Sequence, residues 1–524
     1  MLNPFRRRQF LLGLGGASAL PAAATASSLN AASVIHDVRQ YGADAGGARL
    51  STSAIQAAVD ACARAGGGTV LLPAGTYVSG TIVLKSHVSL QLDPGAVLRA
   101  SRDLRDYPLH VPALRSYTDT YTDKSLIYAE DAENIGITGR GTIDGQGTSF
   151  KGEYKVRPYV IRFVKCHDVS VSGVTIRDSP MWVQHYLACD QVNIRGITVR
   201  SRVNSNNDGI DIDACRGVRI SDCDIWSGDD AIVLKATLDR PCRDVVVTNC
   251  VLSTLCNALK LGTESNGGFE NITFSNCAIY DTRLAGIAIE MVDGGVLDRV
   301  NVSNIVMTNV VAPIFVRLGD RARPFTAGGP RPPVGKLRNL SITDVQADGA
   351  GQTACAIAGL AGHEIENVVL DNIRLSFGGG GSASDPNREI PEKPDGYPEF
   401  SMFGKLPAYG LYCRHVKNLR LSNIQTGFTE PEGRPAMVAD DVETLEMANC
   451  RWTQGPDADS AVRFTQTRHA FVHGCRSSGP VGTWARVTGE RSRHVRFLGN
   501  DLDSAGRVVE TSPEVAGDAV AVSA

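Results

Sequence analysis

The sequence predicts an all-β fold: a right-handed parallel β-helix, a solenoid with a short helix capping its N-terminal end. Three observations predict it. A short unit, a polar residue followed by two branched or apolar residues in alternation, recurs as Asn134-Ile-Gly-Ile, Asp168-Val-Ser-Val, Asp244-Val-Val-Val and Asn367-Val-Val-Leu. Its copies between Val169 and Val300 are spaced by 23, 26, 27, 27 and 28 residues. Two stretches, Asp208-Gly-Ile-Asp-Ile-Asp213 and Asp230-Ala-Ile-Val-Leu-Lys235, align at an offset of 22 residues, each with strand alternation. Glycine is abundant at 54 residues and aromatics are sparse at 6%, which suits short strands and tight corners. Each unit is too short to bury its own apolar face, so neighbours must stack. The right hand is expected from crossover chirality.

The elements follow in order. Residues 1–26 are expected to be a twin-arginine export signal. Arg6-Arg7-Arg8-Gln9-Phe10-Leu11-Leu12 sets paired arginines before an apolar run, and Ala24-Thr25-Ala26 is a small-x-small cleavage site. That run is too short for a membrane span, so a bacterial periplasmic or secreted protein is expected. Residues 27–510 are expected to form one β-helix domain. Ser53 to Ala65 has helical periodicity, with Ile55, Val59 and Cys62 on one face, and Gly66-Gly67-Gly68 stops it before a strand from Thr69 to Leu72. A helix there covers core and strand edges that an open solenoid end would expose. Two inserted stretches, Arg321 to Gly335 and Gly378 to Pro407, fall on one face of a solenoid. The second carries Tyr397, Glu399 and Phe403; it is either a disordered surface loop or a cover for the cleft. From Thr511 to residue 524 a frayed tail is expected.

Charge and cysteine narrow the function. Lys and Arg number 53 against 56 Asp and Glu, a net −3, which argues against nucleic acid as partner. Cys223, Cys250 and Cys277 recur at 27-residue steps, which favours a stack of small buried thiols; disulfides are the alternative. No Cys/His spacing resembles a zinc site. No metal, cofactor or membrane contact is expected, and the chain is expected to be a monomer.

Asp208, Asp229 and Asp230 are the candidate catalytic residues. Stacked coils would set Asp208 beside Asp230 at about 4.8 Å, one strand spacing. Acids that close repel and raise one another's pKa, an arrangement suited to acid/base hydrolysis. Adjacent strand residues face opposite ways, so Asp229 and Asp230 share a cleft only if the backbone bends, which Gly228 would permit. Asp211 and Asp213 read as turn formers at solenoid corners.

Asn207-Asp208-Gly209 and Gly228-Asp229-Asp230 resemble the N-T-D and G/Q-D-D motifs of family 28 glycoside hydrolases, the polygalacturonase family. Gly141-Thr-Ile-Asp-Gly145 and Asp178-Ser-Pro-Met181 fit as well, and the resemblance runs from about Val34 to beyond Arg317. It implies a right-handed parallel β-helix that hydrolyses glycosidic bonds of pectin-type polysaccharides or oligosaccharides, with inversion and without metal. By the same resemblance Asp229 is the general acid, Asp208 and Asp230 activate water, and Asn207 belongs with the substrate-binding residues. Two departures stand out. Asn257 occupies the place of the family's G-H-G histidine, and the R-I-K pair becomes Ala288 and Glu290. Asparagine cannot carry a proton, so either that role is dispensable or another residue such as His185 supplies it.

Two outward columns are expected: Asp211, Val233, Lys260, Ala288, Phe315, and Asp213, Lys235, Gly262, Glu290, Arg317. Lys260 or Arg317 is either a relocated cation for an acidic sugar or part of an ion ladder with no ligand. With Glu290 where a cation would dock galacturonate, a substrate other than plain homogalacturonan is expected. Two further readings stay open: a polysaccharide lyase or epimerase on this fold, and a non-catalytic carbohydrate-binding β-helix.

Overall fold

A computed structural model describes residues 35–115, 122–153 and 156–523; the expected export signal lies outside them. Thirty-eight strands join in one paired sheet that winds as a parallel β-helix. A coil is three strands with short corners. Gln184–Leu187, Asp190–Arg195 and Thr198–Ser201 form one. Ile210–Asp213, Arg216–Ser221 and Asp224–Ser227 form the next. Corresponding strands pair in register from coil to coil, so Val192, Val218, Val245, Ile272, Val300 and Leu340 stack in one buried row.

The leading residue of the repeat now has a physical reason. Asn134, Asp168, Asp244, Asn271, Asn339, Asn367 and Asn418 all adopt left-handed backbone, with φ between 50° and 58°. Asn and Asp tolerate that conformation better than other side chains. Stacked at the corner, their amides also bond along the solenoid. Asn367 Nδ2 donates to Asn339 Oδ1 at 2.9 Å, and Asn418 Nδ2 to Asn367 Oδ1 at 2.9 Å.

The helix spans Thr52–Arg64 and buries Ile55, Val59 and Cys62 over the first coil. All thirteen cysteines are free thiols, and Cys256 alone among them is not fully buried. At the other end the structure differs from the expected tail. Val520–Ser523 forms a strand whose Val520 pairs with Val495, and Ala505–Thr511 pairs with Val481–Thr488. Pairing satisfies backbone groups that the last coil would otherwise leave open.

The insertion 378–407 is an ordered flap rather than a disordered loop. Ile390, Met402, Phe403 and Leu406 pack on Ala285, Ala288, Ala312, Phe315 and Ala356 of the outer sheet face. Small side chains there leave room for the flap's larger ones. Polar ties complete the docking. Arg414 Nη1 donates to Ile390 O at 2.7 Å, Arg463 Nη1 to Pro386 O at 2.7 Å, and His415 Nε2 lies 2.9 Å from Glu392 Oε1.

Candidate active site

The site lies on the outer face of the sheet formed by Ile210–Asp213, Ile232–Lys235, Leu259–Leu261 and the end of Phe269–Met291. The expected register holds: Asp211 pairs with Val233, Val233 with Lys260, Lys260 with Ala288 and Ala288 with Phe315. Asp208 and Asp230 sit at the entries of neighbouring strands, and Gly209 N–H donates to Asp230 O at 2.8 Å.

Asp229 and Asp230 do reach one cleft. They fall in the corner between strands 224–227 and 232–235, where no strand alternation separates them. One carboxylate oxygen from each and the Cys256 sulfur lie within 4.8 Å of one another. Gly228 serves this corner by closeness, not by a left-handed φ. A Cβ there would meet Arg202 Cα, Asn204 O and the Asn207 side chain, each at 3.3 Å.

The two adjacent acids live in opposite circumstances. Asp230 Oδ1 accepts from Asn257 N–H at 3.1 Å and from Asn257 Nδ2 at 3.0 Å, and its Oδ2 lies 3.0 Å from Lys260 Nζ. These are the partners a carboxylate anion requires. Asp229 has neither Asn257 nor Lys260 on its carboxylate; its Oδ1 accepts from the N–H of Asp230 at 2.9 Å. Burial, with the charge of Asp230 behind it, lifts its pKa above the usual carboxylate range. Asp208 is 3% exposed, and its Oδ1 has no hydrogen-bond partner. Burial, then the charges of Asp211 and Asp229, push its pKa well up. A carboxylate held by an ammonium and an amide, beside acids whose pKa values are raised, is the pairing that acid/base hydrolysis uses.

Two buried lysines divide the remaining charge. Lys260 Nζ also lies 3.6 Å from Glu290 Oε2. Burial opposes its charge, but Asp230 and Glu290 outweigh burial and raise its pKa. Glu290 is itself pushed well up by burial, against the pull of Lys260. Lys235 Nζ lies 3.5 Å from Asp211 Oδ1 and 3.3 Å from Glu264 Oε2, over the Trp182 ring. Lys260 Nζ thus sits against Asp230, one of the three residues of the Asp229, Asp230 and Cys256 group.

Several assignments need correction. Asn207 is a scaffold residue. Its Oδ1 accepts from Val203 and Asn204 N–H, and its Nδ2 donates to Ser179 O and Met181 O, so its amide is used up by backbone. Arg317 does not face the acids. Its Nη1 donates to Gly359 O at 2.8 Å, its Nη2 to Glu392 O at 2.7 Å, and its guanidinium lies 5.2 Å from the Phe403 ring centre. It ties the flap down, and burial lowers its pKa to about 10. His185 is fully buried between the Tyr159 and Trp182 rings, with Nε2 3.8 Å from Asp213 Oδ2, and pairs in register with Asp211 on the next coil. Asp211 and Asp213 are strand residues, not corner turns. Asp213 accepts from Thr237 N–H and hydroxyl, whereas Asp211 belongs to the acid cluster. Glu399 of the flap is a further residue near this site that sequence reasoning left unassigned: it is partly buried, its Oε2 has no hydrogen-bond partner, and the charges of Lys260, Asp230 and Asp229 act on it.

Comparison with known proteins agrees with this architecture. The model of glycosyl hydrolases family 28 matches residues 62–392. A probable polygalacturonase of Vitis vinifera is 32% identical over 276 residues, 48% of this chain and 55% of that protein, so the match spans about half of that relative. An endo-polygalacturonase of Pectobacterium carotovorum subsp. carotovorum is 29% identical over 294 residues, 51% of this chain and 71% of its own length. Among solved structures, the Yersinia enterocolitica family 28 exopolygalacturonase superposes with a TM-score of 0.61 at 20% identity, covering 76% of this chain and 78% of that one. The Thermotoga maritima exopolygalacturonase gives 0.58 at 22%, covering 66% and 87%. At such identities the two structures speak for the fold. The stacked coils, the acids converging at one corner and a family match across most of the β-helix together place the chain in glycosyl hydrolases family 28.

Proposed function

We propose that the chain is an exported, inverting glycoside hydrolase that cleaves O-glycosidic bonds in pectin-type polysaccharides or oligosaccharides. Asp229 is the general acid, and Asp208 and Asp230 activate the attacking water, Asp230 by taking its proton and Asp208, whose pKa is raised, by orienting it. One observation carries the reading: carboxylate oxygens of Asp229 and Asp230 lie within 4.8 Å of each other, while Lys260 and Asn257 contact Asp230. The acid protonates the leaving oxygen, and the anion draws a proton from water on the other side of the sugar. Export through the twin-arginine route and a periplasmic or secreted location are part of the same proposal. No helix among the described residues is long and apolar enough to cross a membrane.

The electrostatics also bear on the sugar. Among the described residues of the site, Lys260 and Lys235 face Asp230, Glu290, Asp211 and Glu264, and Arg321 and Arg323 face Asp293. A carboxylate on the sugar would meet cations that already have carboxylate partners. We therefore propose that the unit held at the acids is uncharged, such as a neutral sugar or an esterified one.

The test is cleavage of a pectic panel: polygalacturonate, methyl-esterified pectin and pectic side-chain oligosaccharides. New reducing ends that persist in EDTA, with no unsaturated product and with inverted anomeric configuration, are expected. Binding without turnover would move the chain to the carbohydrate-binding reading, and an unsaturated product to the lyase one.

A further inference from the structure

The corner after the third strand of each coil forms a row along the solenoid. Ala96–Ala100, Thr142–Asp144, Thr175–Arg177, Thr198–Ser201 and Asp224–Ser227 pair in turn. Asp208 lies in the corner after the fourth of these strands, and Asp229 and Asp230 in the corner after the fifth. Toward the N-terminus the same row holds a pocket of about 420 Å³, within the size range of small-ligand sites. Arg102 and Leu104 reach it from the first corner, and Phe150, Lys151, Val156 and Arg157 from the second. Hydrogen bonds tie that second corner to the one that holds Asp208. Asn204 Nδ2 donates to Gly147 O at 2.7 Å, and Arg157 Nη1 to Ser205 O at 2.9 Å. The two corners are two coils apart, roughly 10 Å by strand spacing.

Three cations line this pocket, and none has a carboxylate partner among the described residues. Arg102 gives its Nε and Nη2 to the neutral Gln146 Oε1, at 3.0 and 2.8 Å. Lys151 is exposed. Arg157 is 3% exposed, and its Nη1 and Nη2 donate to Pro180 O, Ser205 O, Ser205 Oγ and Asn206 Oδ1, all uncharged. Its Nε is buried without a partner, and burial works against its charge. The one acid in the lining, Asp103, is committed to Arg105, whose Nε donates to both its oxygens at 3.0 and 2.9 Å. A buried cation without a counter-charge is costly, so the pocket is short of an anion. At the acids the balance is the reverse: Lys260 and Lys235 already have carboxylates.

We infer that this pocket holds the carboxylate of a uronic acid unit of the substrate, away from the bond that is cleaved. Arg102 and Lys151 supply donors to the carboxylate, Arg157 supplies fixed positive charge behind it, and Leu104 and Val156 offer apolar wall to the sugar's C–H groups. This rests on the hydrolase reading above and deepens it. An uncharged unit at the acids and an acidic unit in the pocket together define the substrate as a glycan that carries both. Two coils separate the pocket from the reacting bond, so its cations hold ground state and transition state alike.

The test uses the full chain and two probes: a pectic oligosaccharide that carries neutral and uronic units, and the same oligosaccharide with its carboxyls reduced to alcohols. Binding is measured by calorimetry on the Asp229→Asn chain, which leaves the probe uncut, with and without Arg102→Gln, Lys151→Gln or both. Each lost cation is expected to weaken the acidic probe about 10-fold and to leave the reduced probe unchanged. With Asp229 in place, the same substitutions are expected to raise KM for the acidic probe at unchanged kcat. Equal affinity for the acidic probe with and without the two cations would overturn the pocket's role, as would equal loss on both probes. Inorganic phosphate that binds as tightly as the acidic probe would also overturn it, by making the pocket a general anion site. Charge-selective binding with no cleavage of either probe by wild type would instead overturn the hydrolase reading and leave the pocket standing.

Discussion

The same outward row of one sheet changes character partway along the solenoid. Over the first coils it reads His185, Asp211, Val233, Lys260; over the next it reads Ala288, Phe315, Ala356, Tyr412. The backbone register is continuous through both regions. The first is a layer of buried charge in which Lys260 and Lys235 hold several acids together. The second is an apolar pad of small side chains that receives the flap. A repeat sets where side chains stand; it does not set what they do. The flap joins the two regions: it packs on the pad and sets its Tyr397 ring 5.4 Å from the Arg321 guanidinium.

Breaking the charged region at its chemistry has the largest expected effect. Asp229→Asn keeps the shape and removes the acid, so turnover on the pectic panel is expected to fall roughly 1000-fold, with thermal unfolding nearly unchanged. An inactive variant that is also unfolded would leave the two regions without distinct roles.

Breaking the same region at its support acts on stability instead. Lys260→Met leaves Asp230 and Glu290 buried without their cation, at a cost of about 3–5 kcal/mol, read by chemical denaturation.

The pad is expected to break locally. Phe403→Ala removes the ring that packs in the apolar cluster and lies against Arg317, a loss of about 3 kcal/mol of local packing. Proteolysis within residues 378–407 is expected to accelerate while the coils unfold as before. Equal protection in wild type and variant would mean the flap does not depend on its pad.

The smallest effect sharpens the boundary between the regions. Glu290 sits where they meet, and burial raises its folded pKa well above the ordinary glutamate value. A raised folded pKa stabilises fully below the unfolded value and loses that contribution as pH climbs through the folded one. Wild-type stability is therefore expected to decline with rising pH above the ordinary glutamate range, and Glu290→Gln to flatten that decline. A slope unchanged by Glu290→Gln would place the titration elsewhere.

Much of this was legible in the residues. The polar residue before each alternating unit announced the corners, because a left-handed residue bonding to its copy above is a local demand that recurs every coil. The acids at 208, 229 and 230 were legible because two short motifs one coil apart must stack. Asn207 misled because its motif position says nothing of the backbone groups that claim its amide. Arg317 misled because its column is right but its guanidinium turns to the carbonyls of a flap 75 residues further on. Asp211 was dismissed as a turn former because one acid looks like another until its strand and its Lys235 partner are known.

Sequence by itself determined the coil length, the strand alternation, the register of the outward columns and so the meeting of Asp208 with Asp230. Those follow from periodicity, which short-range hydrogen bonding and burial impose on every coil alike. Only the tertiary structure decided which acids are buried, which cations are already paired, and where the flap docks. These depend on burial and on contacts between segments far apart in the chain, and no repeat encodes either.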